Sequence, residues 1–222
     1  MFFEGFMPLM RWENLLFLGK GFVVTLELAV ISIVVSSVIG LVVGVARYAR
    51  VPGLSTLAGL YVDLLRNLPL LLLIFFAKYG LGALGIKMDA FQAGVAALSV
   101  FTGAIMAEIV RGGLNSIHPG QWEAARSQGL RYLQTLRFIV LPQALRKMIP
   151  ALVQQFITLT KDTSYVYIIN VKELTSVGAI IFNLNNNAMQ TMLLISLVFF
   201  AVNFSMSIVA RRLERRLAVG SY

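Results

Sequence analysis

Five long apolar runs, at residues 21–46, 57–84, 91–114, 150–171 and 189–210, alternate with polar stretches along the chain. A helix rises 1.5 Å per residue, so each run can cross a bilayer with some tilt. The pattern predicts an all-α, polytopic membrane protein with five transmembrane helices. Residues 1–20 read differently. Glu4, Arg11, Glu13 and Lys20 interrupt Phe2, Phe3, Phe6 and Trp12, a mixture that suits an amphipathic interfacial segment. An acidic start without a basic n-region or an A-x-A-like site argues against a cleaved signal peptide. The expected organisation is an N-terminal segment over 1–20, one membrane domain over 21–216, and a tail over 217–222.

Polar residues inside the runs single out further positions. In the first run, Gly40-x-x-x-Gly44 offers a small surface for close helix packing. Glu27, one to two turns in, faces either a water-filled interior or the interface. In the second run Asp63 and Arg66 lie at i, i+3 and can pair on one helix face; Pro69 then kinks or breaks the helix. Glu108 and Arg111 repeat that acid–base spacing near the end of the third run. In the fourth, Lys161 and Asp162 fall roughly 15 Å along a helix starting near Pro150, which places two charges near the bilayer midplane. Such residues are costly in lipid and face a pathway or a partner. In a pathway, Asp162 suits a cationic group of a solute, Lys161 an anionic one, and Thr163 and Ser164 can add hydroxyl bonds. The alternative is a structural pairing of Lys161 or Asp162 with another helix, through Glu27 or Lys78. Asn183, Asn185, Asn186 and Asn187 mark a loop before the fifth run.

Between the third and fourth runs lies a polar island, residues 115–147. Pro119-Gly120 predicts a turn, with His118 a loop residue before it. Residues 121–128 have helix-forming composition, with Glu123 expected in the first turn, where it suits the helix dipole. Gly129 then stops the helix by accepting a left-handed conformation. A second helical run reaches Leu141, and Pro142 kinks or redirects it.

Composition sharpens the class. Of 222 residues, 58% are hydrophobic and 13% charged, and the mean hydropathy is +0.81. That is too apolar for an ordinary soluble domain. Cysteine is absent, so no disulfide or cysteine-ligated metal site can form. The net charge of +9 reads as basic residues at the cytoplasmic membrane face rather than as a nucleic-acid site, because no polar domain exists to carry one. Arg47 and Arg50 follow the first run. Arg111, Arg126, Arg131, Arg137, Arg146 and Lys147 flank or occupy the island, and Arg211, Arg212, Arg215 and Arg216 follow the fifth run. The positive-inside rule makes all three regions cytoplasmic and puts the N-terminus outside. The stretch from Gly80 to Lys87 lacks the second glycine and the following hydroxyl of a phosphate loop, so no nucleotide site is expected on this chain.

Glu123-Ala124-Ala125, then Gly129, then Ile139-Val140-Leu141-Pro142, resembles the EAA loop of ABC importer permeases. Arg66-Asn67-Leu68-Pro69, the stretch from Ala107 through Glu108 and Arg111 to Leu114, Gly120-Gln121, Leu141-Pro142-Gln143-Ala144 and Lys161-Asp162-Thr163-Ser164 follow in order. Together they are similar to the polar amino-acid branch, which takes up glutamine, glutamate or histidine-like substrates. Asn67, where the branch often has glycine, and Tyr165, where it often has leucine, depart from it. The resemblance implies a type I importer permease fold in a bacterial inner membrane. It implies a coupling set of Gly120, Gln121, Glu123, Ala124, Ala125, Arg126, Gly129, Leu141 and Pro142 that seats in an ATPase. It further implies two cytoplasmic ATPase subunits that bind ATP and Mg, a second permease (another copy or a paralogue), and an extracytoplasmic substrate-binding protein. This chain itself would then hold no cofactor and hydrolyse nothing. An ion-coupled secondary transporter half and a non-transporting membrane scaffold are the alternatives. The first favours inverted repeats, which are not evident here, and the second leaves Lys161 and Asp162 without a role.

Overall fold

The computed structural model describes residues 3–218; Met1, Phe2 and positions 219–222 of the expected tail lie outside the described residues. Helices α1 Trp12–Tyr48, α2 Leu54–Arg66, α3 Leu70–Phe75, α4 Leu81–Ala83, α5 Ala90–Asn115, α6 Pro119–Ser127, α7 Tyr132–Thr135, α8 Leu141–Asp162, α9 Leu174–Asn185 and α10 Ala188–Ala218 follow in order. No strand occurs among the described residues. Three helices, α1, α5 and α10, are long and apolar enough to cross a membrane; two bent helix pairs raise the number to five if each is one span.

Several boundaries differ from the sequence expectation. The break expected near residue 20 is absent, because α1 runs unbroken from Trp12. The second apolar run is two helices. Pro69 has no N–H and adopts an extended conformation, with ψ 128°, so the chain leaves the helical path between Arg66 and Leu70. A π-helical turn, Phe76–Gly80, then separates α3 from α4. Pro142 redirects nothing: it lies in the first turn of α8. Instead the π-helical turn Leu136–Val140 precedes it, and Leu141 N–H bonds back to Leu136 C=O. Pro150, expected near the start of the fourth helix, is interior to α8. That helix ends at Asp162, so Lys161 and Asp162 close it rather than sit within it. The expected asparagine loop shrinks to a corner. Asn183 and Asn185 belong to α9, and Asn186 caps it with φ 53°.

The chain forms two compact units. One holds the residues up to Val34 together with Pro69–Ser99 and Phe156–Ser207. Its core packs Leu9 and Leu18 against Leu174, Val177 and Ile181 of α9 and Ile195 of α10. The N-terminal segment is therefore part of this core, and Asn187 Nδ2 donates to Gly5 C=O at 2.8 Å. The other unit holds Val35–Leu68, Val100–Gln155 and the residues from Ile208 onward. There the second half of α1 meets α5 at the two glycines. A Cβ on Gly44 would come 2.7 Å from the Ala107 carbonyl oxygen, and one on Gly40 would overlap Met106. In lipid, apolar side chains gain little from meeting one another, so this close backbone approach carries the association.

Candidate coupling loop and pathway residues

The polar island folds as α6, a tight turn and α7 running into α8. Pro119 occupies the first turn of α6, where its missing N–H costs nothing. His118 caps the helix, its Nδ1 accepting from Gly120 N–H at 3.1 Å. Because α6 starts at Pro119, Glu123 falls beyond the first turn, contrary to expectation. Gly129 has φ 83°, and its N–H donates to Arg126 C=O at 2.9 Å while Leu130 N–H donates to Ala125 C=O at 3.2 Å. No atom lies within 4 Å of where a Cβ would stand, so the backbone angle, not space, demands glycine.

Glu123, Ala124, Arg126 and Gln121 are exposed along α6, and Pro142 is exposed on α8. Gly120 and Leu141 are half-buried. Ala125 is buried, 5% exposed. Its small size therefore serves packing inside this chain, whereas Ala124 faces outward.

Two contacts that the sequence reading did not anticipate hold α6 in place. Trp122 stacks on Tyr48 at the end of α1, with ring centroids 6.4 Å apart, and on Tyr132 of α7 at 5.0 Å. Gln143 Nε2 of α8 donates to Gln121 Oε1 at 2.9 Å. The rings, with Arg50, Glu123 and Arg126, line an open cleft of about 540 Å³. Beneath α6, Val110, Leu114, Ile117, Val140, Ala144 and Met148 form a buried cluster.

The acid–base pairs resolve into one network in the same unit. Glu108 receives Arg111 through two bonds, 2.8 and 3.2 Å, as the i, i+3 spacing predicts. It also takes Arg47 of α1 and Arg66 Nη1 of α2 at 3.8 Å. The expected Asp63–Arg66 pair is not the one formed: Asp63 lies 4.0 Å from Arg47 Nη2. Three guanidiniums thus converge on one carboxylate and tie α1, α2 and α5 together. The two carboxylate oxygens have enough lone pairs to accept from all three, and planar guanidiniums suit such crowded pairing.

In the other unit, Lys161 and Asp162 end α8, and a 3₁₀ helix, Thr163–Ile169, follows. Three residues per turn align every third side chain. Thr163, Val166 and Ile169 accordingly form one buried row. The rest of the segment is open: Lys161 is exposed, Asp162 and Ser164 are half-buried, and Tyr165 and Tyr167 are 44% and 46% exposed. Thr163 spends its hydroxyl internally, donating to Thr160 C=O at 2.7 Å. Glu27 is exposed on α1. Among the described residues no ion pair joins Lys161 or Asp162 to Glu27 or Lys78; Lys78 Nζ donates to Met88 C=O at 2.8 Å.

Sequence reading missed α9 and the residue that starts it. Leu174, Val177, Gly178 and Ile181 repeat at helical spacing, and Glu173 accepts from Thr175 N–H at 2.9 Å and Ser176 N–H at 2.7 Å. An acidic N-cap before a periodic apolar run was the available signal.

Residues 36–219 match the family described as binding-protein-dependent transport system inner membrane component. The chain is 50% identical over 207 residues to the probable glutamine ABC transporter permease protein GlnP of Bacillus subtilis (strain 168), covering 92% of this chain and 95% of that one. It is 33% identical over 210 residues to the glutamine transport system permease protein GlnP of Escherichia coli (strain K12), covering 94% and 96%. Among solved structures, a chain of an amino acid ABC transporter crystallised with histidines superposes with a TM-score of 0.86 at 29% identity, covering 92% of this chain and 95% of its own. A chain of the inward-facing MetNI methionine ABC transporter shares the fold, with a TM-score of 0.75 at 23% identity, covering 92% and 99%. A polytopic helical chain that presents an E-A-A helix, a left-handed glycine turn and a following I-x-L-P helix belongs, on these matches, to the binding-protein-dependent transport system inner membrane component family, as a multi-pass permease subunit of an ABC importer.

Proposed function

We propose that this chain forms one half of the membrane path of an ATP-driven importer for a polar amino acid, glutamine before glutamate. The exposed face of α6 carries the reading. Glu123, Ala124 and Arg126 point away from the chain on a short helix held by Trp122 and Gln121, a form suited to insertion into a groove of a partner ATPase. Two such ATPases bind ATP and Mg and do the hydrolysis. A second permease completes the path, and a substrate-binding protein delivers the amino acid from outside. The names of the relatives at 50% and 33% identity support glutamine.

The chain crosses the membrane five times with its N-terminus outside. The basic ends of α1, α5 and α10 and the loop of residues 115–147 are then cytoplasmic. Residues 21–216 belong to the membrane domain. ATP-driven closure of the partners moves α6. Gln143 and the π turn before Leu141 and Pro142 pass that motion into α8, the helix that ends in Lys161 and Asp162. The cluster of Glu108, Arg111, Arg66 and Asp63 keeps the cytoplasmic ends moving as a body. Coupling follows if ATP-bound and ATP-free partners favour different permease states.

Along the path, Asp162 and Lys161 offset the desolvation of the substrate ammonium and carboxylate. Ser164 adds a hydroxyl, Thr163 shapes the segment from its buried row, and Glu27 attracts the ammonium at the outer half of α1. The test is reconstitution of the permease with its ATPase and binding protein in liposomes, with labelled glutamine outside. ATP-dependent accumulation of glutamine that excess unlabelled glutamine abolishes is the expected result. Accumulation driven by an ion gradient without ATP overturns it.

A further inference from the structure

The first unit contains a fully buried carboxylate with no part in the path described above. Glu173 is 0% exposed. Besides capping α9, its Oε2 lies 3.5 Å from the Thr25 hydroxyl of α1, whose single proton is divided between that oxygen and Gly21 C=O at 3.1 Å, and Thr25 Oγ1 accepts from Leu174 N–H at 3.1 Å. Thr25 is itself 1% exposed. One turn earlier, a Cβ on Gly21 would stand 2.9 Å from Val177 Cγ2 and 3.1 Å from the Glu173 carbonyl oxygen. Gly21 and Thr25 thus form a notch on α1 into which the start of α9 fits.

A buried carboxylate is costly unless every oxygen has a donor. Here Thr175 N–H serves Oε2 and Ser176 N–H serves Oε1, and Thr25 ties the start of α9 to α1 through Leu174 N–H and the hydroxyl beside Oε2. The site's place in the chain gives it a consequence. The 3₁₀ segment Thr163–Ile169 ends in Asn170 at φ 64°, and residues 171–173 lead straight to Glu173. At its start the segment is held by Thr163 on Thr160. In its middle Val166 packs so closely on Gly94 that a Cβ there would come within 3.1 Å. At its far end the local bonds of Asn170 N–H to Tyr167 C=O and Val171 N–H to Val166 C=O close the turn, and Glu173 is the next polar anchor along the chain.

We propose that Glu173 is a positioning residue: by locking onto Thr25 it fixes the far end of the segment that follows Lys161 and Asp162, and so sets the geometry in which the open face of that segment meets substrate. The effect on transport rests on the reading of residues 161–164 as substrate-facing; the ordering of the segment does not. The test uses the assembled importer and four variants. Thr25→Val keeps shape and removes the hydroxyl, Thr25→Ser keeps the hydroxyl, and Glu173→Gln replaces one acceptor oxygen with a donor that opposes Thr175 N–H. A nitroxide on Tyr165→Cys, the only thiol in the chain, reports segment mobility by EPR in each background.

Thr25→Val and Glu173→Gln should mobilise the label and raise half-saturating glutamine by about fivefold, the size of one lost hydrogen bond. Basal ATPase activity and assembly should be retained, and Thr25→Ser should match the parent. A mobilised label with unchanged half-saturation supports the lock and overturns the substrate-facing reading of residues 161–164. A label as immobile in Thr25→Val as in the parent overturns the proposal. So does failure of Thr25→Val to assemble, which would make the contact one of folding.

Discussion

Gly129 is held at φ 83° by the end of α6, with open space where a side chain would begin. A β-branched residue there carries strain of roughly 1–2 kcal/mol without any clash. Gly129→Val should therefore insert in the membrane normally but lose ATPase co-purification and coupled uptake. Gly129→Asn, which tolerates the left-handed region, should lose little. Pull-down of the ATPase from solubilised membranes reads the difference, and equal recovery for all three proteins removes α6 from the docking surface. At Asp162 the question is charge. Asp162→Asn keeps shape, and the side chain is half-buried with no ion pair among the described residues. Thermal stability in detergent should stay at the parent value while glutamine uptake falls or its selectivity shifts. A lower melting temperature with unchanged uptake kinetics would make Asp162 a structural residue.

At the scale of elements, α6 is secured by rings rather than by charge. Trp122→Ala removes stacking on both Tyr48 and Tyr132, worth about 1–3 kcal/mol for the two contacts together. Amide exchange should quicken across Pro119–Ser127 while the middle of α5 keeps its protection. ATPase stimulation by loaded binding protein should drop. Unchanged exchange in α6 would place its anchor elsewhere, at Gln121–Gln143. The π-helical turn ahead of Pro142 belongs to the same scale. Proline removes one N–H from the ladder, and the i→i+5 bond from Leu141 to Leu136 keeps the chain helical up to it. Pro150, expected near a helix start, lies inside α8, whereas at Pro69 the expected break is real, with the two helices bent by 106°. The extended backbone between Arg66 and Leu70 is what separates the cases.

For the whole molecule, orientation is the claim with most at stake, since it decides whether an ATPase can reach α6. The parent lacks cysteine, so single-cysteine variants report cleanly. Ser127→Cys should react with an impermeant maleimide only from the cytoplasmic side and Lys87→Cys only from outside. The reverse pattern would put the E-A-A helix on the wrong side of the membrane. Both side chains are exposed, so accessibility within the chain does not limit labelling.

Local and covalent demands were legible in the sequence. Apolar runs of bilayer length, arginines at their ends, glycine after α6, the Gly40–Gly44 notch and the i, i+3 pair of Glu108 with Arg111 all depend on neighbours within a turn or two. The E-A-A spacing that carried the family is likewise a pattern read along the chain. What only the tertiary structure decided involves partners far along the chain. Arg47 reaches Glu108 across 61 residues and Thr25 reaches Glu173 across 148. Ala125 turns inward while Ala124 stays out, and Thr163 falls in the buried row because the segment is 3₁₀ rather than α. Periodicity specifies which residues share a face of one helix. Which face meets which neighbour is settled by packing, where glycine notches set how closely backbones approach and each buried polar group must find its donor.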